Sequence, residues 1–533
     1  MKATRILIAT GIFGALAVGL GAFGAHGLES LLIQNGRLDT FETAVNYHFY
    51  HTLALLGIGI LALVKPHWKG LMTSAYLMGM GIFIFSGSLY LLSLTEITWL
   101  GAITPLGGLV LLLTLNLFLG SAQAQVSPEA MAGLDSSLGA PNFFSAHLTG
   151  FMLYDLENKQ VVYEKNSHLR FIPASTTKLL TLYASLLVLQ DSTQTLRYVS
   201  SGDTLKIWGS GDPSWKYKNL APPDFQQLIA PHTIVQFSDA NQVSPPFGYG
   251  WQWDDYYYDY SAERSSLPIY GNLVEVVKND SLQLFPSYFQ SHLKSSFQAL
   301  PEVQRDFHSN NFYYNPSTFV GKEKFIPFLV QPQVLASLAS QELGIPVIYK
   351  PDSLPSLHSQ WRAGALAPIL KEMMVESDNF LAEQLLFMVS DKLFQTLDTE
   401  RAIEYVQKTA LADLPDAPQW VDGSGLSRHN LLTPRSLVRV VEKLTELIPE
   451  EQLGEYLAVG GKTGTLKNSF QAAEPYVFAK TGSMSHSYNL AGMVKTRSGK
   501  TYAFAFMNTN FPYPVSTVRK EVEKVMLYIK DHF

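Results

Sequence analysis

Four stretches within the first 120 residues are long and apolar enough to cross a bilayer, and nothing else in the chain restricts its fold so sharply. They cover residues 6–28, 46–64, 71–94 and 97–120, and about 20 apolar residues in helical form span the hydrocarbon core. Residues 1–125 hold only nine charged side chains: Lys2, Arg5, Glu29, Arg37, Asp39, Glu42, Lys65, Lys69 and Glu96. The first stretch is rich in Gly11, Gly14, Ala15, Ala17, Gly19, Gly21, Ala22 and Gly24, and small residues let membrane helices approach closely. Four such segments in succession argue against buried helices of a soluble protein. The expectation is a four-helix membrane domain over residues 1–121.

Lys2, Arg5, Lys65 and Lys69 place the N-terminus and the second loop on the cytoplasmic side. Four crossings then bring residue 125 back to that side. The last apolar run ends in Ser121-Ala122-Gln123-Ala124-Gln125, an A-x-A pattern of the kind signal peptidase cleaves, although no basic segment precedes it. Cleavage would follow Ala124, and residues 122–140 read as a linker. An enzyme on the outer side therefore requires one of three things: a fourth segment that keeps a signal-peptide orientation, a segment that does not cross, or two fused or wrongly joined genes.

This N-terminal block resembles a family of small four-span bacterial membrane proteins of uncharacterised function. The resemblance rests on Gly21-Ala22-Phe23-Gly24-Ala25-His26-Gly27-Leu28, Ala44-Val45-Asn46-Tyr47-His48, Ser86-Gly87-Ser88-Leu89-Tyr90 and Leu100-Gly101-Ala102-Ile103-Thr104-Pro105-Leu106-Gly107-Gly108. It covers residues 1–110 and implies no chemistry. His26, His48 and His51 stand as a candidate polar site, against the plainer reading of histidines bonded to their neighbours.

The remaining sequence has ordinary globular composition. A length of 533 residues corresponds to about two to four domains. The net charge of −6 and the lack of a long basic run leave nothing for nucleic acid to bind. The chain has no cysteine, which excludes disulfides, thiolate metal sites and cysteine catalysis and suits an oxidising compartment. Residues 150–156 and 160–164 alternate around Glu157-Asn158-Lys159 as a hairpin. Residues 200–345 change to short strands, prolines and aromatics, a β-rich insertion. Its densest run, Trp251-Gln252-Trp253-Asp254-Asp255-Tyr256-Tyr257-Tyr258, reads as core of a small β domain, with sugar binding as the alternative. Asp254 and Asp255 lack companions for a metal site. Helical periodicity returns at 366–385 and 434–447. Strands follow at 476–481, 489–496 and 500–508, and a closing helix at 515–529. Strands at both ends with helices between predict an α/β (α+β) sandwich over 141–199 and 346–533.

Chemistry enters with Pro173-Ala174-Ser175-Thr176-Thr177-Lys178. Proline suits a first helical turn, and residues i and i+3 share a helix face. A neutral Lys178 could take the proton of Ser175 and leave the oxygen to attack an acyl carbon. Two further motifs follow in order, Ser377-Asp378-Asn379 and Lys480-Thr481-Gly482. Each has decoys. Ser291-His292-Leu293-Lys294 repeats the first pattern, Ser309-Asn310-Asn311 and Ser487-Tyr488-Asn489 the second, and Lys462-Thr463-Gly464 the third. Context selects one set, because Lys480 ends an apolar strand whereas Lys462 lies in a glycine-rich loop.

Residues 140–533 resemble the low-molecular-mass class C penicillin-binding proteins, a D-Ala-D-Ala carboxypeptidase/endopeptidase family with a penicillin-binding/β-lactamase-like fold. Further supporting words are Gly209-Ser210-Gly211-Asp212-Pro213, Glu383, Asp422-Gly423-Ser424-Gly425-Leu426-Ser427, Thr433-Pro434, Gly464-Thr465-Leu466 and Phe478-Ala479-Lys480-Thr481-Gly482-Ser483. The 202-residue interval from Ser175 to Ser377 matches that family's large insertion. Gly461-Lys462 departs from it where an acidic residue is expected. The resemblance implies Ser175 as nucleophile, Lys178 as base with its pKa lowered by burial and nearby cations, and Ser377 as proton relay. It implies that Asn379 holds a substrate amide and that Lys480 and Thr481 bind the terminal carboxylate. Backbone N–H groups of Ser175 and Ser483, with Gly482 between Thr481 and Ser483, would form the oxyanion hole. It implies no metal or organic cofactor. Its partners would be peptidoglycan peptides, β-lactams and, through the spans, the bilayer, with the enzyme on the periplasmic side. A serine β-lactamase or esterase, and a catalytically silent membrane scaffold, are the competing readings.

Overall fold

A computed structural model describes residues 2–64, 71–95, 97–122, 126–139, 142–278, 281–321 and 323–533. The chain divides into two compact units, Met1–Pro128 and Glu129–Phe533. The expected cleavage point after Ala124 and the flanking cations Lys65 and Lys69 lie outside the described residues.

In the first unit, three helices among the described residues are long and apolar enough to cross a membrane: Thr4–Ala25, Leu38–Val64 and Leu71–Thr95. The second begins at Leu38 rather than 46. Asp39 lies in its first turn, where a carboxylate complements the helix dipole. A 3₁₀ turn, Thr98–Ala102, precedes a further apolar helix, Thr104–Ala122. Close approach depends on missing side chains. A Cβ on Gly24 would sit 2.5 Å from the Phe41 ring, and one on Gly107 would sit 2.5 Å from the Phe85 backbone nitrogen. His48 Nδ1 meets the Tyr90 hydroxyl at 3.3 Å, and His51 Nδ1 meets the Tyr47 carbonyl at 2.7 Å. His26 is exposed just beyond the first helix.

The second unit begins with a correction. Pro128–Leu138 is a helix, not linker, and buries Ala130, Leu134 and Leu138 at four-residue spacing. Tyr528 of the closing helix donates its hydroxyl proton to the Ala130 carbonyl at 3.2 Å. A six-stranded antiparallel sheet follows, in the order Ala458–Val459, Val477–Met484, Ser487–Lys495, Thr501–Thr509, Leu148–Asp155, Gln160–Lys165. The first and last long strands are neighbours, registered from Leu148↔Thr509 to Asp155↔Tyr502. The strand Val477–Met484 outruns its expected end at 481. It turns through Ser485-His486, with His486 at φ 61°, a tight turn without the glycine or asparagine that would announce it. Helices Lys178–Leu189, Asn379–Phe394 and Pro434–Leu447 share one apolar core with Met152, Met493 and Met507 of the sheet.

The insertion is wider than 200–345. Its five-stranded sheet runs Val347–Tyr349, Ile234–Ser238, Thr204–Gly209, Ser192–Ser201, Ser359–Ala365, so both expected boundaries cut through it. They followed a change of composition, whereas pairing joins Ser192 to Ala365. Two three-stranded sheets complete the region, around a separate core that includes Trp215, Phe237, Phe289, Phe312 and Phe328. Of the run 251–258, Tyr257 packs against the edge of that core and the other rings lie outside it. The 3₁₀ turn Trp253–Tyr257 buries no residue, and Trp253 is 77% exposed. The periodic stretch 366–385 is likewise two helices, Leu366–Val375 and Asn379–Phe394. The break falls at Ser377, whose φ of 65° no helix accommodates.

Candidate active site

Ser175 lies in a 3₁₀ turn, Ala174–Thr177, that feeds the helix Lys178–Leu189. Ala174 takes φ 48°, an uncommon conformation for a residue with a Cβ, and local and long-range bonds hold it. The Thr176 and Thr177 hydroxyls donate back to the Pro173 and Ala174 carbonyls at 2.7 and 2.8 Å. Asn489 Nδ2 donates to the carbonyls of Ile172 and Pro173, each at 2.9 Å. Opposite Asn489 in the sheet stands Gly482. A Cβ there would lie 2.4 Å from the Pro173 oxygen and 3.2 Å from the Ser175 nitrogen. Only glycine lets the strand run this close to the turn that carries Ser175.

Lys178 is fully buried. Its Nζ has three neighbours: Ser175 Oγ at 3.0 Å, Asn379 Oδ1 at 2.6 Å and the Ser424 carbonyl at 2.7 Å. Two of these can only accept. A neutral amine has two N–H groups and one lone pair. With both protons committed to Asn379 and Ser424, the lone pair faces the Ser175 hydroxyl, the arrangement a general base requires. Burial brings the Lys178 pKa down to about 8, although Asp378, Asp422 and Glu383 pull it upward. The expected nearby cation is Lys480, whose own pKa the charge of Lys178 lowers.

Those carboxylates build the wall behind the lysine. Asp422 Oδ1 accepts from the Gly425 nitrogen at 2.8 Å and Oδ2 from the Ser427 nitrogen at 2.7 Å. The loop 422–427 is thus wound around one side chain and turns the Ser424 carbonyl toward Lys178. Glu383 accepts from the Ser424 nitrogen at 2.7 Å and from Arg264 Nη1 at 3.2 Å. Burial, then the charge of Asp422, pushes its pKa up to about 7. Turn composition announced this loop but not that it delivers a carbonyl. Nothing in the sequence pairs Glu383 with Arg264, which lies within the insertion.

Lys480 is also fully buried. Its Nζ donates to Ser377 Oγ at 2.8 Å and to the Thr481 carbonyl at 3.0 Å. Burial, then the charge of the neighbouring Lys178, holds its pKa well below the ordinary lysine range. Thr481 Oγ1 meets Thr465 Oγ1 at 2.8 Å, which brings the Gly464–Leu466 turn to the site rim. Asn379 Nδ2 donates to the Tyr260 carbonyl at 3.0 Å. Ser483 is exposed on the strand, one residue beyond Gly482. The structure therefore gathers two hydrogen-bonded groups, Ser175 with Lys178 and Asn379, and Ser377 with Lys480 and Thr481, near enough that the charge of Lys178 acts on Lys480. The decoys Ser291 and Lys462 are exposed on local turns. No group of three or more histidines and carboxylates suited to a metal occurs among the described residues.

The short strand Ala458–Val459 pairs only with Phe478 and Ala479. From Lys480 to Met484 that edge has no strand beside it among the described residues, and an extended peptide can add there by backbone bonding.

Comparison with known proteins yields two families. The model of the D-Ala-D-Ala carboxypeptidase 3 (S13) family matches residues 130–282 and 351–531. A model described as a protein of unknown function (DUF423) matches residues 20–108. The D-alanyl-D-alanine carboxypeptidase DacB of Haemophilus influenzae is 26% identical over 410 residues, covering 67% of this chain and 85% of that protein. The UPF0382 membrane protein YwdK of Bacillus subtilis is 48% identical over 111 residues, 21% of this chain and 89% of that protein. Among solved structures, penicillin binding protein 4 (dacB) from Haemophilus influenzae superposes with a TM-score of 0.57 at 21% identity, covering 74% of this chain and 97% of that one. This likeness establishes the fold of the second unit.

Proposed function

Because the chain belongs to the D-Ala-D-Ala carboxypeptidase 3 (S13) family, and its N-terminal unit to the UPF0382 membrane proteins, we propose that it is a membrane-attached serine peptidase of the cell wall. It is a serine-type D-Ala-D-Ala carboxypeptidase that binds penicillin, and its natural substrates are the stem peptides of peptidoglycan. Ser175 Oγ attacks the carbonyl carbon between the two terminal D-alanines, and its proton passes to Lys178 Nζ. The oxyanion is held by the backbone N–H groups of Ser175 and Ser483, donors each worth roughly 3–4 kcal/mol in related acyl transfer. The C–N bond breaks as the leaving amine receives a proton relayed through Ser377. D-alanine departs, and water cleaves the Ser175 ester. Lys480 and Thr481 bind the terminal carboxylate. Asn379 orients Lys178 and holds a substrate amide. Attack on a cross-link in place of a free terminus makes the same site an endopeptidase.

The single observation that carries this reading is Lys178 Nζ, 3.0 Å from Ser175 Oγ with its two other neighbours both acceptors. A fluorescent penicillin should label the chain covalently, and Ser175→Ala should abolish both labelling and D-alanine release. Labelling that survives the substitution would remove Ser175 from its role. A long-lived adduct is expected, whereas rapid turnover of the β-lactam would identify a β-lactamase.

The helix Thr104–Ala122 is proposed as a fourth crossing and the periplasm as the catalytic unit's compartment, since peptidoglycan lies there. Protease added to spheroplasts should degrade residues 129–533. Full protection would place them in the cytoplasm. The same digest reports whether the chain is cut after Ala124.

A further inference from the structure

The segment from Trp251 to Tyr260 is pinned at both ends to groups that hold Lys178. At one end Trp251 Nε1 donates to Asp422 Oδ2 at 3.0 Å. At the other, the Tyr260 carbonyl accepts from Asn379 Nδ2 at 3.0 Å. Between these anchors Tyr256 and Tyr257 are half-buried against Arg305 and Lys324, while Trp253 and Tyr258 stand in water. Trp253 is 77% exposed, and its ring meets Phe307 at 77° with centroids 6.4 Å apart. Tyr258 and Tyr260, 46% and 42% exposed, stack with centroids 5.3 Å apart and planes 6° from parallel. Exposed apolar clusters of this kind mark interaction surfaces. At its Tyr260 end this one opens into a cavity that Ser377, Asp378 and Asn379 also line.

Its chemistry narrows the partner. Residues 251–262 carry Asp254, Asp255 and Asp259 and no lysine or arginine. Anionic lipid, a surface that also takes up Trp and Tyr, is repelled by such a stretch. Flat rings interleaved with carboxylates and phenol hydroxyls suit a neutral pyranose chain. The C–H faces of the sugar lie on the rings, and its hydroxyls donate to the carboxylates. We propose that Trp253, Tyr258 and Tyr260 form a ledge that binds the glycan strand of peptidoglycan and holds it beside the cleft while its stem peptide reaches Ser175. This rests on the reading of the chain as a peptidoglycan peptidase, because there the glycan arrives covalently joined to the peptide.

The test uses the full chain in detergent, in the Ser175→Ala background for binding and with Ser175 intact for turnover. Glycan strands stripped of peptides by an amidase, with the lactyl carboxyls so exposed converted to amides, should be retained by the full chain. Trp253→Ala and Tyr258→Ala should each weaken retention about tenfold, and Trp253→Phe should recover part of it. Release of D-alanine from a free pentapeptide should stay unchanged in Trp253→Ala, while release from whole sacculi falls. That pattern also shows that the variant folds. Failure to retain peptide-free strands, or equal retention by Trp253→Ala, overturns the ledge. Quenching by brominated lipid in reconstituted vesicles that disappears in Trp253→Phe assigns the ledge to the bilayer and overturns it as well. Retention of strands without any D-alanine release overturns the peptidase reading and leaves the ledge standing.

Discussion

The two units bury polar groups in opposite ways. In the membrane unit the buried hydroxyls of Thr10, Thr52, Ser93 and Thr114 donate to the carbonyl four residues earlier in their own helices. These four need no partner helix, whereas Ser88 and His48 reach across to Thr104 and Tyr90, and no charge is buried there among the described residues. In the peptidase unit, Lys178, Lys480, Glu383, Asp422 and Arg264 are all buried, and each bonds to segments distant in sequence. Hydroxyls satisfied locally make a bundle tolerant of what surrounds it. Charges satisfied across 200 residues make a site that exists only when every segment is in place. The cost of burying an ion without a partner is several kcal/mol, so such a network persists where its charges do something.

The widest test of this contrast is Lys178→Ala, which removes the base and leaves Asn379 Oδ1 and the Ser424 carbonyl without their donor. Acylation by penicillin should fall roughly a thousandfold. A rate near wild type would transfer the base's role to another group. Gly482→Ala comes next, since its Cβ would strike the Pro173 oxygen at 2.4 Å. Pushing the nucleophile's turn off the strand should slow acylation about a hundredfold with little change in unfolding temperature. An unchanged rate would mean that the contact between turn and strand is loose in solution.

The pH profile is a smaller effect. Acylation needs neutral Lys178, whose pKa is about 8. The neutral fraction grows as protons leave, so the rate should rise roughly tenfold per pH unit below that value and level off above it. A profile still climbing through pH 10 would contradict the burial of the amine. Smallest for catalysis is Gly107→Ala in the other unit, where the new Cβ meets the Phe85 backbone at 2.5 Å. It should destabilise the bundle by about 1–3 kcal/mol in detergent unfolding and leave penicillin labelling unaltered. Loss of labelling would mean that the units are not independent.

Much of the catalytic unit was legible because its signals are local. The hairpin around Glu157, the strand before Lys480 and the apolar helix after Lys178 each follow from periodicity within a few residues. The cluster of motifs pointed to the residues that the fold gathers. Illegible features depend on what a segment packs against. Ser377 splits one apolar period into two helices because Asp378 caps the second, accepting from the Leu381 nitrogen at 3.0 Å. Composition cannot weigh that bond against continuing the helix. The run 251–258 has the aromatic content of a core, yet Trp251 and Tyr260 tie it to the catalytic domain and leave Trp253 and Tyr258 exposed between them. The helix at 128–138 is small and polar enough to pass for linker until Tyr528 is known to lie beside it.

The pairing of Leu148–Asp155 with Thr501–Thr509 carries a consequence for synthesis. The strand that leads to Ser175 emerges from the ribosome about 350 residues before its sheet neighbour. Asn489, which fixes the nucleophile's turn, is also late. Until the last strands are made, the serine belongs to an open chain with no lysine poised against it. The peptidase is therefore assembled only after residues 477–509 have been made, and a nascent chain that stops short of them carries Ser175 without its poised partner.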